Sequence, residues 1–380
     1  MKIAYCLPSL FTPAGMERVL TIKANYFADI FGYEVFIILT DGKDKKPYFN
    51  LSQKIHVINL DVNFDDLNGH SRLKRLPDYI LKQQIYKRKL KKCLIEIRPD
   101  ITISMLRREI NFINSIKDGS KKIGEMHFNK INYRNFDEEK ASSIKKVLAK
   151  LWMKQLVNKL TKIDKFVVLS HEDKNNWTEI DNPIVIHNPL SFIPDKTSDC
   201  TSKQVIAVGR FIPQKGFDML LDAWKIVSHK HPDWILRVYG DGEKKEYIDQ
   251  INRLGIEKTC KLERAVTDIG NKYLESSIFV LSSKFEGFGM VITEAIACGL
   301  PVVSFACPCG PKDIIHDGID GFLVESRNIE MLAERIIYLI ENEDIRKKMG
   351  IEAKTNSERF RIEKIANQWK DLFENILLPQ

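Results

Sequence analysis

The chain has 380 residues, 44% of them hydrophobic and 29% charged, with a formal net charge of +8. That length favours two domains, each large enough to bury its own core. The composition excludes a collagenous, disordered or small disulfide-bonded chain, and no run approaches the ~18 continuous apolar residues that span a bilayer.

The opening MKIAYCLPSLF carries one lysine and a short apolar run before Pro8. It predicts a first β-strand over Lys2–Leu7, not a signal peptide. PSLFTPAGMERVL follows and opens a helix over Gly15–Phe31. The amides at Gly15, at the helix start, suit a phosphate. No G-x-G-x-x-G stands there, which disfavours NAD-type binding. Further strands are expected at Glu34–Leu39, His56–Asn59, Ile101–Met105, Lys121–Glu125 and Lys165–Leu169. Helices are expected over about 73–96 and over Glu138–Leu160. Strands alternating with helices predict a mostly parallel sheet covered on both faces.

The stretch RLKRLPDYILKQQIYKRKLKK, residues 72–92, holds nine lysines and arginines against one acid, Asp78. It reads either as a solvated helix face or as an interaction surface. As a surface, its interleaved leucine, isoleucine and tyrosine suit an anionic membrane better than a nucleic acid, and no nucleic-acid-binding module accompanies the charge.

Residues 182–203, NPIVIHNPLSFIPDKTSDCTSK, contain three prolines and many polar groups. They read as strand, turn and linker, and the domain boundary is placed there, after residue 190. The strand–helix rhythm then restarts. Strands are expected at 204–209, 234–240, Thr259–Leu262, Ile278–Leu281 and Pro301–Phe305. Helices are expected at Phe217–His229, Lys244–Leu254, Gly289–Cys298 and Glu330–Glu343, with a last one over Arg361–Ile376 that is able to pack back on the first domain. The predicted fold class is therefore α/β, with two Rossmann-like doubly wound domains: 1–190, 191–362 and a C-terminal helix in 363–380. Ligands of such sheets bind beyond the carboxyl ends of the strands, so a cleft between the domains is the expected site.

Two loops of the second domain carry the chemistry. In GRFIPQKG (209–216), Arg210 and Lys215 emerge beyond the end of a strand. A rigid guanidinium fork and an ammonium there suit a diphosphate; the alternative is a solvated turn. VLSSKFEGFGM (280–290) runs from a strand through Glu286, Gly287, Phe288 and Gly289 into the helix that carries Glu294. Glycines admit close approach of a ligand to the backbone, and helix-terminal amides favour negative charge. Glu294 sits in the apolar run MVITEAIAC, where an unpaired carboxylate costs several kcal/mol or so. A ribose diol offers that carboxylate two donors, and Glu286 is then placed for a sugar hydroxyl. The alternative is a helix capped by Glu286 and salt-bridged through Glu294. YGDGEKKE (239–246) is a third loop of this kind, and also an ordinary turn sequence.

The stretch EGFGMVITE, with seven residues between its glutamates, resembles the E-x7-E signature of retaining glycosyltransferases of family 4. GRFIPQKG is similar to the basic phosphate loop of those enzymes, and PAGMERV (13–19) resembles their N-terminal G-G-x-E-R loop, with Ala14 in place of one glycine. The order of these motifs fits over essentially the whole chain. The resemblance implies a GT-B fold with the acceptor domain first and the nucleotide-sugar domain second. It implies diphosphate roles for Arg210 and Lys215, a ribose role for Glu294, a donor-sugar role for Glu286, and a place near the phosphates for Gly15. It sets His127, in GEMHFN, near the acceptor and sugar, and Pro189 in the interdomain stretch, where His187 departs from the usual proline. The form of CPCGPKDIIHDGIDGFLV (307–324) resembles transferases that build bacterial surface polysaccharides.

The expected reaction moves a hexose or N-acetylhexosamine from a nucleotide diphosphate sugar, by default UDP-linked, to a glycan or lipid-linked glycan. The chain contains no D-x-D triplet. Two cations and helix amides are expected to replace a metal, and no cofactor is expected. Seven scattered cysteines, with Cys307 and Cys309 too close for the usual two-residue gap of a zinc turn, point to free thiols in a reducing compartment. The expected location is cytoplasmic, with a peripheral hold on the inner face of the inner membrane if residues 72–92 form a surface. Alternatives of the same fold are a nucleotide-sugar epimerase and a phosphorylase with lysine-bound pyridoxal phosphate. A non-catalytic sugar-nucleotide-binding protein is the alternative from another class.

Overall fold

The computed structural model describes residues 1–69, 71–131 and 143–378, with side chains left out at 68, 72, 73 and 143–146. The chain divides into two units, the first formed by 1–169, 173–189 and 362–380 and the second by 170–172 and 190–361.

Unit 1 is built on β1 (Lys2–Leu7), β2 (Glu34–Leu39), β3 (His56–Asn59), β4 (Ile101–Ser104), β5 (Lys121–Glu125), β6 (Lys165–Val168) and β7 (Ile184–Val185). They form one sheet in the order β3-β2-β1-β4-β5-β6-β7, with every pair parallel. Central β1 is apolar almost throughout because both its faces are covered. Ile3, Tyr5 and Leu7 pack with the helices Gly15–Asp29 and Ile362–Leu377, while Ala4 and Cys6 face the helix Arg72–Ile97 and the end of Ser143–Leu160. The C-terminal helix buries Ile365, Trp369, Phe373 and Ile376, spaced for one helical stripe, in the core of unit 1. Its Phe373 ring meets Phe27 edge-on at 5.6 Å.

Unit 2 contains β8 (Gln204–Val208), β9 (Ile235–Tyr239), β10 (Cys260–Glu263), β11 (Ile278–Leu281), β12 (Val302–Phe305) and β13 (Gly321–Val324). Their order is β10-β9-β8-β11-β12-β13, again parallel throughout. In each sheet the strand order reverses once, between β1 and β4 and between β8 and β11. Such a reversal opens a crevice beyond the strand ends.

Most expected elements stand within a few residues of their predicted limits. The expected helix over Glu138–Leu160 is described from Ser143; its first residues lie outside the described ones. Several elements were not foreseen: β13, the short helices His171–Asn176, Ile269–Leu274 and Pro311–Ile314, and the long helix Glu343–Ser357. That helix is mostly polar and carries too few apolar residues for a clear period. Tertiary contacts hold it. Gly350 stands where a side chain would meet the Gly299 carbonyl at 2.4 Å, and buried Arg346 donates to the carbonyls of Leu339 and Ile340 that end the preceding helix. All seven cysteines are buried and free. Among the described residues no helix is long and apolar enough to cross a membrane.

Phe373→Ala should lower the stability of unit 1 by about 3–5 kcal/mol, because it removes a fully buried ring from the core. Urea unfolding followed by circular dichroism measures this, and an unchanged midpoint would show that the C-terminal helix does not hold the unit together.

Candidate functional site

The loops after β8 and β11 flank the strand reversal of unit 2 and touch backbone to backbone. Gly216 has φ 61°, and a Cβ there would fall 2.1 Å from the Ser282 carbonyl oxygen. The Ser282 hydroxyl donates to the Lys215 carbonyl at 2.9 Å, and the Lys284 amide to the Gln214 carbonyl at 2.8 Å. A Cβ on Gly240, in the third loop, would lie 1.8 Å from the Gly209 carbonyl oxygen. These glycines are required by the closeness of the chains.

That approach brings together two of the residues singled out from the sequence. The Lys215 ammonium donates to Glu286 Oε1 at 2.7 Å, and the Ser283 hydroxyl donates to the same oxygen at 2.6 Å. Both side chains are largely withdrawn from water, where a charge-assisted hydrogen bond is strong. Arg210 stands exposed at the start of the same loop as Lys215. Among the described residues no side-chain hydrogen bond or ion pair holds its guanidinium.

The loop Glu286–Gly289 rests on its neighbours. The Glu286 amide donates to the Pro308 carbonyl at 3.0 Å, and the Phe288 ring is buried edge-on against Phe360 at 5.8 Å. Gly310, with φ 118°, lets the 307–310 segment pass so close that a Cβ would fall 1.8 Å from the Phe288 carbonyl oxygen. Gly289 then turns the chain, at φ 98°, into the helix Met290–Ala297, whose N-terminus has no side-chain cap. Glu294 lies one turn into that helix and is buried. The sequence around it suggested little polar company, and the structure corrects this. Ser191 donates to Oε1 at 2.6 Å, and the Tyr273 hydroxyl donates to Oε2 at 3.2 Å. Both come from far away in the chain.

In unit 1, Gly15 is exposed at the start of its helix, where the N-cap residue Ala14 supplies no side-chain bond. His127 follows β5, and its Nε2 lies 2.9 Å from Glu125 Oε1. Glu125 also accepts from the buried Lys23 ammonium, which sits 4.3 Å from the centre of the Trp369 ring. Burial by itself would raise the Glu125 carboxyl, but Lys23 and His127 outweigh it and hold it down at about 2. Burial lowers Lys23 from its ordinary value against the pull of the same carboxylate. The sequence reading missed this cluster, although a signal existed. Leu20, Lys23, Ala24 and Phe27 share the buried stripe of their helix, so a lysine occupies a core position.

Residues 192–356 match the family described as "Glycosyl transferases group 1". Around the group 1 segment, the chain is 29% identical over 378 residues to an "Uncharacterized glycosyltransferase" of Haemophilus influenzae, covering 98% of this chain and 99% of that one. It is 30% identical over 267 residues to the poly(ribitol-phosphate) alpha-N-acetylglucosaminyltransferase of Staphylococcus aureus, covering 69% of this chain and 52% of that one. Among solved structures, Anabaena HepE in complex with UDP and glucose superposes with a TM-score of 0.72 at 20% identity, covering 99% of this chain and 100% of that one. With its two parallel-sheet units, the chain has the GT-B fold. These names do not favour the epimerase alternative.

Glu125→Gln should cost about 3–5 kcal/mol, because it leaves the Lys23 ammonium buried without its counter-charge. The wild-type carboxyl is held below its ordinary value of 4.5, so its stabilisation is complete above that pH and is lost as pH falls toward about 2. Acid titration of stability should therefore be flatter across this window in Glu125→Gln than in the wild type.

Proposed function

We propose that the chain is a retaining, metal-independent glycosyltransferase. It moves a hexose or N-acetylhexosamine from a UDP-linked sugar to a glycan or lipid-linked glycan of a surface polysaccharide. The observation that carries this reading is the Lys215–Glu286 pair at the strand reversal of unit 2, with exposed Arg210 beside it. The UDP and glucose bound by HepE support the donor class, and the poly(ribitol-phosphate) in the name of the staphylococcal relative supports a polymeric acceptor.

In this reading the bond from the anomeric carbon to the phosphate oxygen breaks, and negative charge grows on the departing diphosphate. An ammonium has three N–H donors. Glu286 takes one from Lys215, so Lys215 is able to bridge that carboxylate and a phosphate oxygen. Arg210 adds a second fixed positive charge, and the uncapped amides at Met290 add partial ones. Together they take the place of a divalent metal. Glu286, oriented by Lys215 and Ser283, accepts from a hydroxyl of the donor sugar. Glu294, oriented by Ser191 and Tyr273, accepts from the ribose. Gly287, Phe288 and Gly289 supply backbone, since the Phe288 ring is taken up by Phe360. His127 and Gly15 keep the acceptor and phosphate roles that the resemblance implies. The acceptor oxygen bonds to the anomeric carbon, and its proton leaves to the departing phosphate or to solvent.

A screen of nucleotide sugars with lipid-linked acceptor and no added metal, read as released nucleoside diphosphate and new glycoside, tests the proposal. Lys215→Ala should lower turnover by about 100-fold to 1,000-fold with a smaller change in donor affinity. Glu294→Ala should mainly weaken nucleotide binding, by roughly tenfold to a hundredfold. Full activity in both variants, or activity that appears only when a divalent metal is added, would overturn it.

A further inference from the structure

We propose that Glu172 is a positioning residue for Glu286, acting through the peptide group that joins Pro308 to Cys309. Residues 170–172 follow β6 in the chain but belong to unit 2. Glu172 Oε2 accepts from the Cys309 amide at 2.8 Å, across 137 positions of sequence. The carbonyl of the same peptide group, on Pro308, accepts from the Glu286 amide at 3.0 Å. One planar unit is therefore bonded at both ends, to Glu172 on one side and to the Glu286 loop on the other. The effect on turnover rests on the sugar-hydroxyl role proposed for Glu286; the clamp itself is backbone geometry.

Cys309 is where this hold matters. Its φ is 61°, a left-handed backbone that glycine adopts freely and a residue with a Cβ resists. That angle helps to set the plane of the Pro308–Cys309 peptide. A charge-assisted bond from its N–H to a carboxylate favours the observed plane over a rotated one, and polarises the carbonyl toward Glu286. Gly310 follows at φ 118°, close against the Phe288 carbonyl. The support therefore reaches both Glu286 and the backbone that leads to Gly289.

Glu172 is itself held in place. Asp313 Oδ1 accepts from the His171 amide at 2.7 Å, so the 170–172 and 307–314 segments bind each other in both directions. Arg359 donates to the carbonyls of Asp313 and Ile314 at 2.6 and 2.9 Å, and Asn356 to that of Ile314 at 2.7 Å. Lys312 donates to Glu172 Oε1 at 3.2 Å. Its side chain is 49% exposed, and an ion pair so open to water adds little. The bond to the Cys309 amide carries the effect.

Hydrogen exchange of the full chain, read by mass spectrometry on peptides spanning 284–290, tests the clamp without reading activity. In Glu172→Ala these amides should exchange about tenfold faster than in the wild type, with an unchanged melting temperature. Glu172→Gln keeps an acceptor oxygen and should stay within roughly twofold of the wild type. Adding Cys309→Gly to Glu172→Ala should restore protection, because glycine takes the left-handed backbone without help. In sugar transfer, Glu172→Ala should bind UDP like the wild type by calorimetry while turnover falls about tenfold to a hundredfold, and Cys309→Gly should recover part of that loss. The proposal is overturned if exchange in 284–290 is unchanged, if it rises throughout the chain with a lowered melting temperature, or if Cys309→Gly restores nothing. Unchanged turnover of Glu172→Ala, beside a wild type that transfers sugar, overturns it too. A wild type that transfers no sugar, with the exchange results as stated, upholds the clamp and overturns the assigned reaction instead.

Discussion

The 2.7 Å contact between Lys215 and Glu286 joins residues 71 positions apart, and it exists because two loops run against each other. Gly216 is the residue that permits this. With a Cβ at its position, the Ser282 carbonyl would be displaced, and the loop after β8 would part from the loop after β11. Gly240 and Gly310 do the same for the flanking segments. The charged residues of unit 2 are thus positioned by glycines that carry no charge. An ammonium on a flexible stem becomes a fixed charge only when its backbone is fixed.

Unit 1 places charge by a different route. Lys23 and Glu125 are buried together, with His127 on the same carboxylate oxygen and Trp369 against the ammonium. Desolvating two charges is costly, and the pair persists because each satisfies the other. The C-terminal helix contributes Trp369 to this cluster, so it helps to set the surroundings of Lys23 in the first helix. His127 inherits its orientation from Glu125.

The strand reversal of each sheet supplies both sites with their place. In unit 2 it gathers the loops that hold Lys215 and Glu286; in unit 1 it underlies a pocket lined by Pro8, Leu106 and Arg107. Parallel strands leave all their carboxyl ends on one edge, and the reversal is where the crossover helices on that edge diverge.

The amino-acid sequence by itself determined the kind and order of the elements. Alternation of apolar runs with helical stripes depends on adjacent residues, and so β1, β2, β3, β5 and β11 stand at their expected limits. The spacing of Glu286 and Glu294 and the loop of Arg210 and Lys215 were legible for the same reason. Tertiary structure decided the partners. Nothing near Glu294 announces Ser191 or Tyr273, nothing near Lys23 announces Glu125, and nothing in the basic run announces that Lys82 and Lys89 donate to the carbonyls of Val62 and Leu60. Those choices are made between residues far apart in the chain, where burial leaves a charged or polar group only the partners that folding brings to it.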